Sequence, residues 1–190
     1  MVYISLKWNL KKILLARVTV TPHVIEMFKK MPAHATQEGD RLWDEALKNN
    51  LQPVRGMMKM ISTLQSTLCV GSNSSFAHVK WALEKTKLDQ FFGARIFSAA
   101  QVQNPKPAPD LFLFIAKSLE VKIQDCIVIE DSLSGVQAAQ NAGIKVIAFS
   151  GAAHFIPSLE QKLKDAEPDW FCSNTDDLER LLKRFELEES

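Results

Sequence analysis

Residues 126–135 read Cys-Ile-Val-Ile-Glu-Asp-Ser-Leu-Ser-Gly, and this stretch decides the fold. Its apolar part does not alternate with polar residues, so we expect a strand that is covered on both faces, as in a parallel α/β sheet. Two adjacent carboxylates, Glu130 and Asp131, follow at the carboxyl end of the strand, where open α/β sheets bind their ligands. A turn of Ser and Gly comes next, and then a helix of small residues that ends at Gly143.

The two carboxylates admit two interpretations. Side by side, Glu130 and Asp131 repel each other unless a cation or a hydrogen-bond donor lies between them, and a hard, oxygen-seeking ion such as Mg²⁺ suits such a pair. Alternatively, Asp131 and Ser132 simply cap the following helix by accepting hydrogen bonds from its free N–H groups. This stretch alone does not decide between the two.

Composition limits the class of protein. The chain has 190 residues, 46% apolar and 24% charged, as expected for one globular domain or one domain with a small appendage. A net charge of +1 gives no field that attracts nucleic acid or an anionic membrane, and no apolar run is long enough to span a bilayer. The first residues lack the pattern of a signal peptide, and the three cysteines are predicted to be buried thiols. We therefore expect a cytoplasmic protein that binds neither nucleic acid nor membrane; its oligomeric state is not indicated.

Predicted strands and helices alternate from Leu68 onward. This alternation predicts βαβ units, a parallel sheet with flanking helices and right-handed crossovers. Residues 1–52 have a different character, irregular and helical, although residues 13–20 have the composition of either a helix or a strand. We therefore divide the chain into a small N-terminal part, residues 1–52, and an α/β core, residues 53–190.

Three polar loops follow predicted strands, and parallel strands end at the same edge of a sheet. Ser72 follows the strand around residues 68–70, and Lys106 lies in the loop 104–110, where three prolines restrict the backbone. With Glu130 and Asp131 they combine a hydroxyl, a rigidly held cation and two oxygen ligands for Mg²⁺. These are the groups that bind a phosphate and its metal ion, so we expect a phosphate site at this edge.

Three motifs resemble those of a known family. Residues 70–74 resemble its second motif, residues 104–110 its third and residues 128–139 its fourth. The chain thus resembles the haloacid dehalogenase superfamily of phosphohydrolases, in the branch similar to β-phosphoglucomutase and phosphoglycolate phosphatase. By this resemblance, Ser134 and Gly135 shape the loop that carries the acidic pair.

The resemblance implies a fold, a reaction and roles for individual residues. The fold would be a Rossmann-like α/β sheet with part of a helical cap in residues 1–52. The function would be Mg²⁺-dependent hydrolysis of phosphate monoesters of small metabolites, in the class of sugar phosphates. Ser72, Asn73 and Lys106 would bind the phosphoryl group, with Ser72 and Lys106 taking part in catalysis. Glu130 and Asp131 would bind Mg²⁺.

The first motif of the family, an apolar strand ending in Asp-x-Asp-Gly-Thr, does not occur in this sequence. In the family its first Asp is the nucleophile and its second is the general acid and base. The first aspartates here, Asp40 and Asp44, do not follow an apolar strand. The chain therefore resembles a family member that lacks its first few tens of residues, and we expect little or no phosphatase activity from it.

Two other functions stay open. One is a non-catalytic relative that binds a phosphorylated ligand or a protein partner. The other is a receiver-like or nucleotide-binding module, which predicts a phosphate site but does not account for the prolines around Lys106; the usual nucleotide-binding Gly-rich motifs do not occur.

The missing motif also has a structural consequence. In the family its strand lies between the strands that end here at Ser72 and Glu130. Without it we expect a gap in the sheet, unpaired backbone groups and low stability. Residues 13–20 are a candidate to fill the gap, but Arg17 argues against full burial.

Overall fold

The computed structural model describes residues 2–5, 18–19, 51–151 and 157–187. Within these residues each strand from Val70 onward is followed by at least one helix, with 3₁₀ turns at Ala99–Gln101 and Ile123–Asp125. In chain order the elements are β1 (Val2–Ser5), β2 (Val18–Thr19), β3 (Gln52–Pro53), α1 (Met57–Thr63), β4 (Val70–Ser72), α2 (Phe76–Thr86), α3 (Asp89–Phe92), β5 (Ile96–Ser98), α4 (Asp110–Ser118), β6 (Ile127–Glu130), α5 (Leu133–Asn141), β7 (Lys145–Phe149), α6 (Pro157–Asp165), β8 (Trp170–Cys172) and α7 (Thr175–Leu187).

The main sheet has six strands in the order β5-β4-β1-β6-β7-β8. The pairs β4–β5, β6–β7 and β7–β8 are parallel. All residues of β4 and β6 are buried, which confirms that strands without polar alternation are covered on both faces. The predicted α/β fold with flanking helices is therefore correct, and the carboxyl ends of β4, β5 and β6 lie at one edge of the sheet.

The expected gap between β4 and β6 is not present, and this prediction was wrong. Strand β1, residues Val2–Ser5, occupies the position and runs antiparallel to both neighbours. It pairs with four residues of β6, from Ile127 to Glu130, but with only two residues of β4. Four residues of β6 and two of β4 thus pair without the family's parallel first strand, because strand pairing does not require one direction.

The alternative candidate for the gap, residues 13–20, does not fill it. Its described part, β2, pairs with β3 in a separate two-stranded sheet. The rest of residues 13–20, and nearly all of the predicted helical cap at residues 1–52, lie outside the described residues. The division into a cap and a core therefore stays a prediction, although β1 belongs to the sheet of the core.

The helices bury apolar faces against both sides of the sheet. Helix α4 is closely packed on β4: a Cβ on Gly71 would lie 2.5 Å from the Cδ1 atom of Ile115. The C-terminal helix α7 is tied to the segment before β4, since Thr175 Oγ1 donates to the carbonyl of Arg55 at 2.6 Å. The three cysteines are buried thiols, as predicted, and none forms a disulfide within the described residues. None of the described helices has the length and apolar character needed to cross a membrane.

Candidate functional site

The acidic pair lies where β6 meets α5. Ser132 is the N-cap of α5, and its Oγ accepts a hydrogen bond from the N–H of Gly135 at 3.1 Å. Glu130 turns back under this helix start, and its Oε2 accepts hydrogen bonds from the N–H of Asp131 (3.1 Å), the N–H of Ser132 (3.0 Å) and Ser132 Oγ (2.7 Å). The capping interpretation thus holds for Ser132, while Glu130 binds the backbone of the loop itself.

Gly135 leaves the space that the Glu130 carboxylate occupies. A Cβ at position 135 would lie 1.9 Å from Glu130 Cδ and about as close to both carboxylate oxygens. Real Cβ atoms essentially never approach another atom so closely, so any other residue would displace the carboxylate or the helix. Position 135 therefore requires glycine, because the Glu130 carboxylate lies too close to leave space for a Cβ. The absence of a side chain here is how Gly135 shapes the loop.

Lys106 and Glu130 form a buried ion pair. The Lys106 Nζ donates to Glu130 Oε1 at 2.7 Å, and the two side chains are 2% and 0% exposed. The ammonium also lies 5.9 Å from the centre of the Phe112 ring. Because burial of an unpaired charge costs several kcal/mol, about 3–5 for loss of one partner, each member of the pair holds the other in place.

The loop after β4 contacts the loop that carries Lys106. The side-chain amide of Asn73 makes two hydrogen bonds to the main chain of Lys106: Oδ1 accepts from its N–H and Nδ2 donates to its carbonyl, both at 3.1 Å. Ser72 is buried at the end of β4, and its Oγ accepts from the N–H of Ser74 at 3.1 Å. The turn 72–74 and Lys106 thus form one connected unit.

Further hydrogen bonds fix the Lys106 loop. Asp110 Oδ2 accepts from the N–H and Nδ2 of Asn104, which closes the loop on itself. Asn141 Nδ2, at the end of α5, donates to the carbonyl of Pro107 at 3.1 Å. The three loops of the site are therefore joined to one another by hydrogen bonds as well as by the sheet.

The loop after β4 is also supported from the edge of the sheet. Ser98 is buried at the end of β5, opposite Ser72 in the parallel ladder, and its Oγ donates to the carbonyl of Ser74 at 2.7 Å. The Ser98 N–H is bonded to Gln101 Oε1 at 2.8 Å in a capping box. The turn 72–74 is thus bonded to Ser98 on one side and to Lys106 on the other.

Asp131 is a candidate ligand for a metal ion. It is 4% exposed and directly follows the Lys106–Glu130 pair at the edge of the sheet. Mg²⁺ usually retains several waters and binds one or two carboxylates together with a phosphate, so this site fits the ion without a cage of protein ligands. Among residues 51–151 and 157–187 no cluster of three or more His, Cys, Asp or Glu side chains forms such a cage.

The structure brings three of the predicted site residues, Asn73, Lys106 and Glu130, into contact. Lys106 contacts Glu130 and Asn73, which are neighbours of Asp131 and Ser72 respectively. Their roles toward phosphate and Mg²⁺ stay predictions. Two contributors had no signal in the sequence, Ser98 and Asn141, because each acts through a single hydrogen bond between segments far apart in the chain.

Several known proteins are similar in sequence to this chain. A family model described as haloacid dehalogenase-like hydrolase matches residues 9–149. The chain is 28% identical over 142 residues to a 6-phosphogluconate phosphatase of Escherichia coli, covering 74% of this chain and 62% of that protein. It is 32% identical over 123 residues to a phosphorylated carbohydrates phosphatase of Thermotoga maritima, covering 65% and 55%. The chain thus spans less than two thirds of the length of either relative.

A solved structure extends the likeness to three dimensions. A conserved haloacid dehalogenase-like protein of unknown function from Agrobacterium tumefaciens superposes with a TM-score of 0.74 and 31% sequence identity. The match covers 84% of this chain and 73% of that protein. The similarity in three dimensions therefore covers most of this chain.

Proposed function

The chain belongs to the haloacid dehalogenase-like hydrolase family, in the phosphoglucomutase and phosphatase branch, and on that premise we propose that its site binds the phosphoryl group of small phosphorylated metabolites. The substrate class we propose is the phosphate monoester of a sugar or a similar small molecule. Two relatives named as phosphatases of 6-phosphogluconate and of phosphorylated carbohydrates support this class.

The observation that carries the proposal is the connection between the three loops. Lys106 is bonded to Glu130 at one end and to Asn73 at the other. The ammonium of Lys106 would neutralise a phosphoryl oxygen, and the hydroxyl of Ser72 and the main-chain N–H of Asn73 would donate to others. A phosphate at this edge would then contact each of the loops after β4, β5 and β6.

Mg²⁺ is part of the proposal. Asp131 would bind the ion. Glu130 already accepts four hydrogen bonds, so it would bind the ion only through its remaining carboxylate lone pairs. A bound Mg²⁺ would supply positive charge that stabilises the phosphoryl oxygens. Glu130 and Lys106 carry opposite formal charges, so Asp131 contributes the net negative charge that favours a cation here.

Catalysis by these 190 residues is expected to be weak. The sequence contains no Asp-x-Asp-Gly-Thr, and the strand between β4 and β6, Val2–Ser5, contains no carboxylate. Loss of a covalent nucleophile costs many orders of magnitude in rate, and neither Ser72 nor Lys106 replaces it. This observation favours the second candidate function, binding of a phosphorylated ligand without turnover.

The test measures binding and turnover side by side. Isothermal titration with inorganic phosphate, in the presence and absence of Mg²⁺, is expected to show binding that Mg²⁺ strengthens. Asp131→Asn should abolish the effect of Mg²⁺ while phosphate alone still binds through Lys106 and Ser72. The matched control is Asp169→Asn, which replaces a carboxylate outside the site. It should change neither phosphate binding nor the effect of Mg²⁺ on that binding.

Turnover of a panel of small phosphate esters by the same protein separates the candidates. Binding with no Mg²⁺-dependent release of phosphate supports the non-catalytic function. Substantial release supports a phosphatase and contradicts the expectation of weak catalysis. Absence of phosphate binding by the folded protein contradicts the proposal itself.

A further inference from the structure

Asn73 has an unusual set of partners for an exposed side chain. Both polar ends of its amide are bonded to the main chain of one residue, Lys106, which lies 33 positions away. The amide thus pairs with Lys106 as a neighbouring strand would, accepting from its N–H and donating to its carbonyl. Each bond is 3.1 Å long.

The pairing is not needed to satisfy a buried polar group. Asn73 is exposed, so water would satisfy its amide equally well if the pairing were lost. The two hydrogen bonds therefore contribute mainly to position rather than to the hydrophobic core. What they position is the backbone from which the Lys106 side chain extends to Glu130.

The pairing uses one of the two side-chain N–H donors through which Asn73 would bind an anion directly. Oδ1 is an acceptor and does not bind phosphoryl oxygens, and one Nδ2 hydrogen is already donated to Lys106. The sequence motif alone suggests that Asn73 is a phosphate ligand. The structure gives its side chain a different task.

We propose that the side chain of Asn73 is a positioning residue that sets the place of Lys106 relative to the turn 72–74, so that its effect on phosphate binding passes through Lys106. This inference rests on the proposed phosphate site. It adds that the side chain of Asn73 binds Lys106, whereas the main-chain N–H of Asn73 binds the anion.

A double-mutant cycle tests the inference. Asn73→Ala is measured in the natural chain and in a background where Lys106→Met and Glu130→Gln remove the buried pair together. In the natural chain we expect phosphate to bind about tenfold more weakly, as for loss of one to two net hydrogen bonds. In the altered background Asn73→Ala should have no further effect. Equal weakening in both would mean that Asn73 binds phosphate directly, which overturns the inference.

The matched control is Asn174→Ala. Asn174 is also an exposed asparagine, and its side chain makes two hydrogen bonds to Asp177 at the start of α7 and one to Ser173 Oγ. Its replacement should leave phosphate affinity unchanged. An equal loss with Asn174→Ala would show that general destabilisation, and not the position of Lys106, weakens binding.

A second measurement does not depend on phosphate. Amide hydrogen exchange is followed at Lys106 and at Ile129 in the natural chain and in Asn73→Ala. We expect exchange at Lys106 to accelerate about tenfold while exchange at Ile129 does not change. Unchanged exchange at Lys106 overturns the inference. If the natural chain binds no phosphate, the proposed function fails, and the exchange result alone decides whether Asn73 positions Lys106.

Discussion

Replacement of Gly135 by alanine tests how the site is built. The added Cβ would lie 1.9 Å from Glu130 Cδ, whereas ordinary contact begins at 3.4 Å, so the carboxylate would have to move by about 1.5 Å. Such a movement breaks the 2.7 Å bond to Lys106 Nζ and the bonds to the backbone of the loop. Disruption of a buried ion pair costs about 3–5 kcal/mol.

The net effect includes an opposing contribution. Alanine is favoured over glycine inside a helix by about 1 kcal/mol, so Gly135→Ala should lower the free energy of unfolding by about 2–4 kcal/mol. Urea denaturation followed by tryptophan fluorescence measures this difference. In a chain that also carries Lys106→Met and Glu130→Ala, the carboxylate is absent and the same substitution should no longer destabilise the fold.

Gly71→Ala is the matched control. Its Cβ would meet Ile115 Cδ1 at 2.5 Å, but that atom is the far end of a flexible side chain and can move aside. We expect a loss of about 1 kcal/mol, at the low end of the cost of overpacking. A loss below about 1 kcal/mol for Gly135→Ala, or the same loss in the chain without Lys106 and Glu130, would refute the reasoning.

Three further predictions concern single groups. Lys106→Met leaves the Glu130 carboxylate buried without its cation and should lower the free energy of unfolding by about 3–5 kcal/mol in urea denaturation; an unchanged midpoint would contradict the buried pair. Burial raises the pKa of the Cys172 thiol to about 11, so the folded protein should react slowly with thiol reagents at pH 9, and its stability should fall as the pH rises from 9 to 11 because the unfolded thiol ionises first. Rapid labelling of Cys172 at pH 9 in the folded state would argue against this. Asp169→Ala removes the acceptor of the Val146 N–H at 2.9 Å and should cost about 1 kcal/mol; amide exchange at Val146 as slow as before would contradict it.

The residues around Glu130 explain why much of the fold was predictable. An apolar run without alternation indicates a strand covered on both faces, and parallel strands place their carboxyl ends together. Ser72, Lys106 and Glu130 were therefore expected at one edge of the sheet whatever the details of the loops. This convergence follows from topology, which the order of strands and helices in the sequence determines.

The direction and identity of β1 were not predictable in the same way. Val2–Ser5 is four residues long, which is too short for a periodic pattern to distinguish it from other apolar segments. The longer candidate at residues 13–20 has the composition of either a helix or a strand, and its described residues pair outside the main sheet. Pairing across the sheet depends on which segment reaches the open position, and local sequence does not encode that.

The partners of individual side chains were the least predictable part. Adjacent acids suggest a shared metal ion, but Glu130 accepts its hydrogen bonds from Lys106 and from the loop behind it. The pairing of Asn73 with Lys106 depends on two loops meeting within hydrogen-bond distance. Such contacts depend on distances of a few tenths of an ångström between remote segments, whereas a sequence motif specifies only residue types and spacing.

The most direct test of the phosphate site is a crystal structure of the protein grown with tungstate, an analogue of phosphate that is easily located, and Mg²⁺. We predict an anion within hydrogen-bond distance of Lys106 Nζ and Ser72, with a metal ion beside Asp131. Tungstate found elsewhere, with Lys106 in contact with Glu130 alone and no metal beside Asp131, would contradict the account.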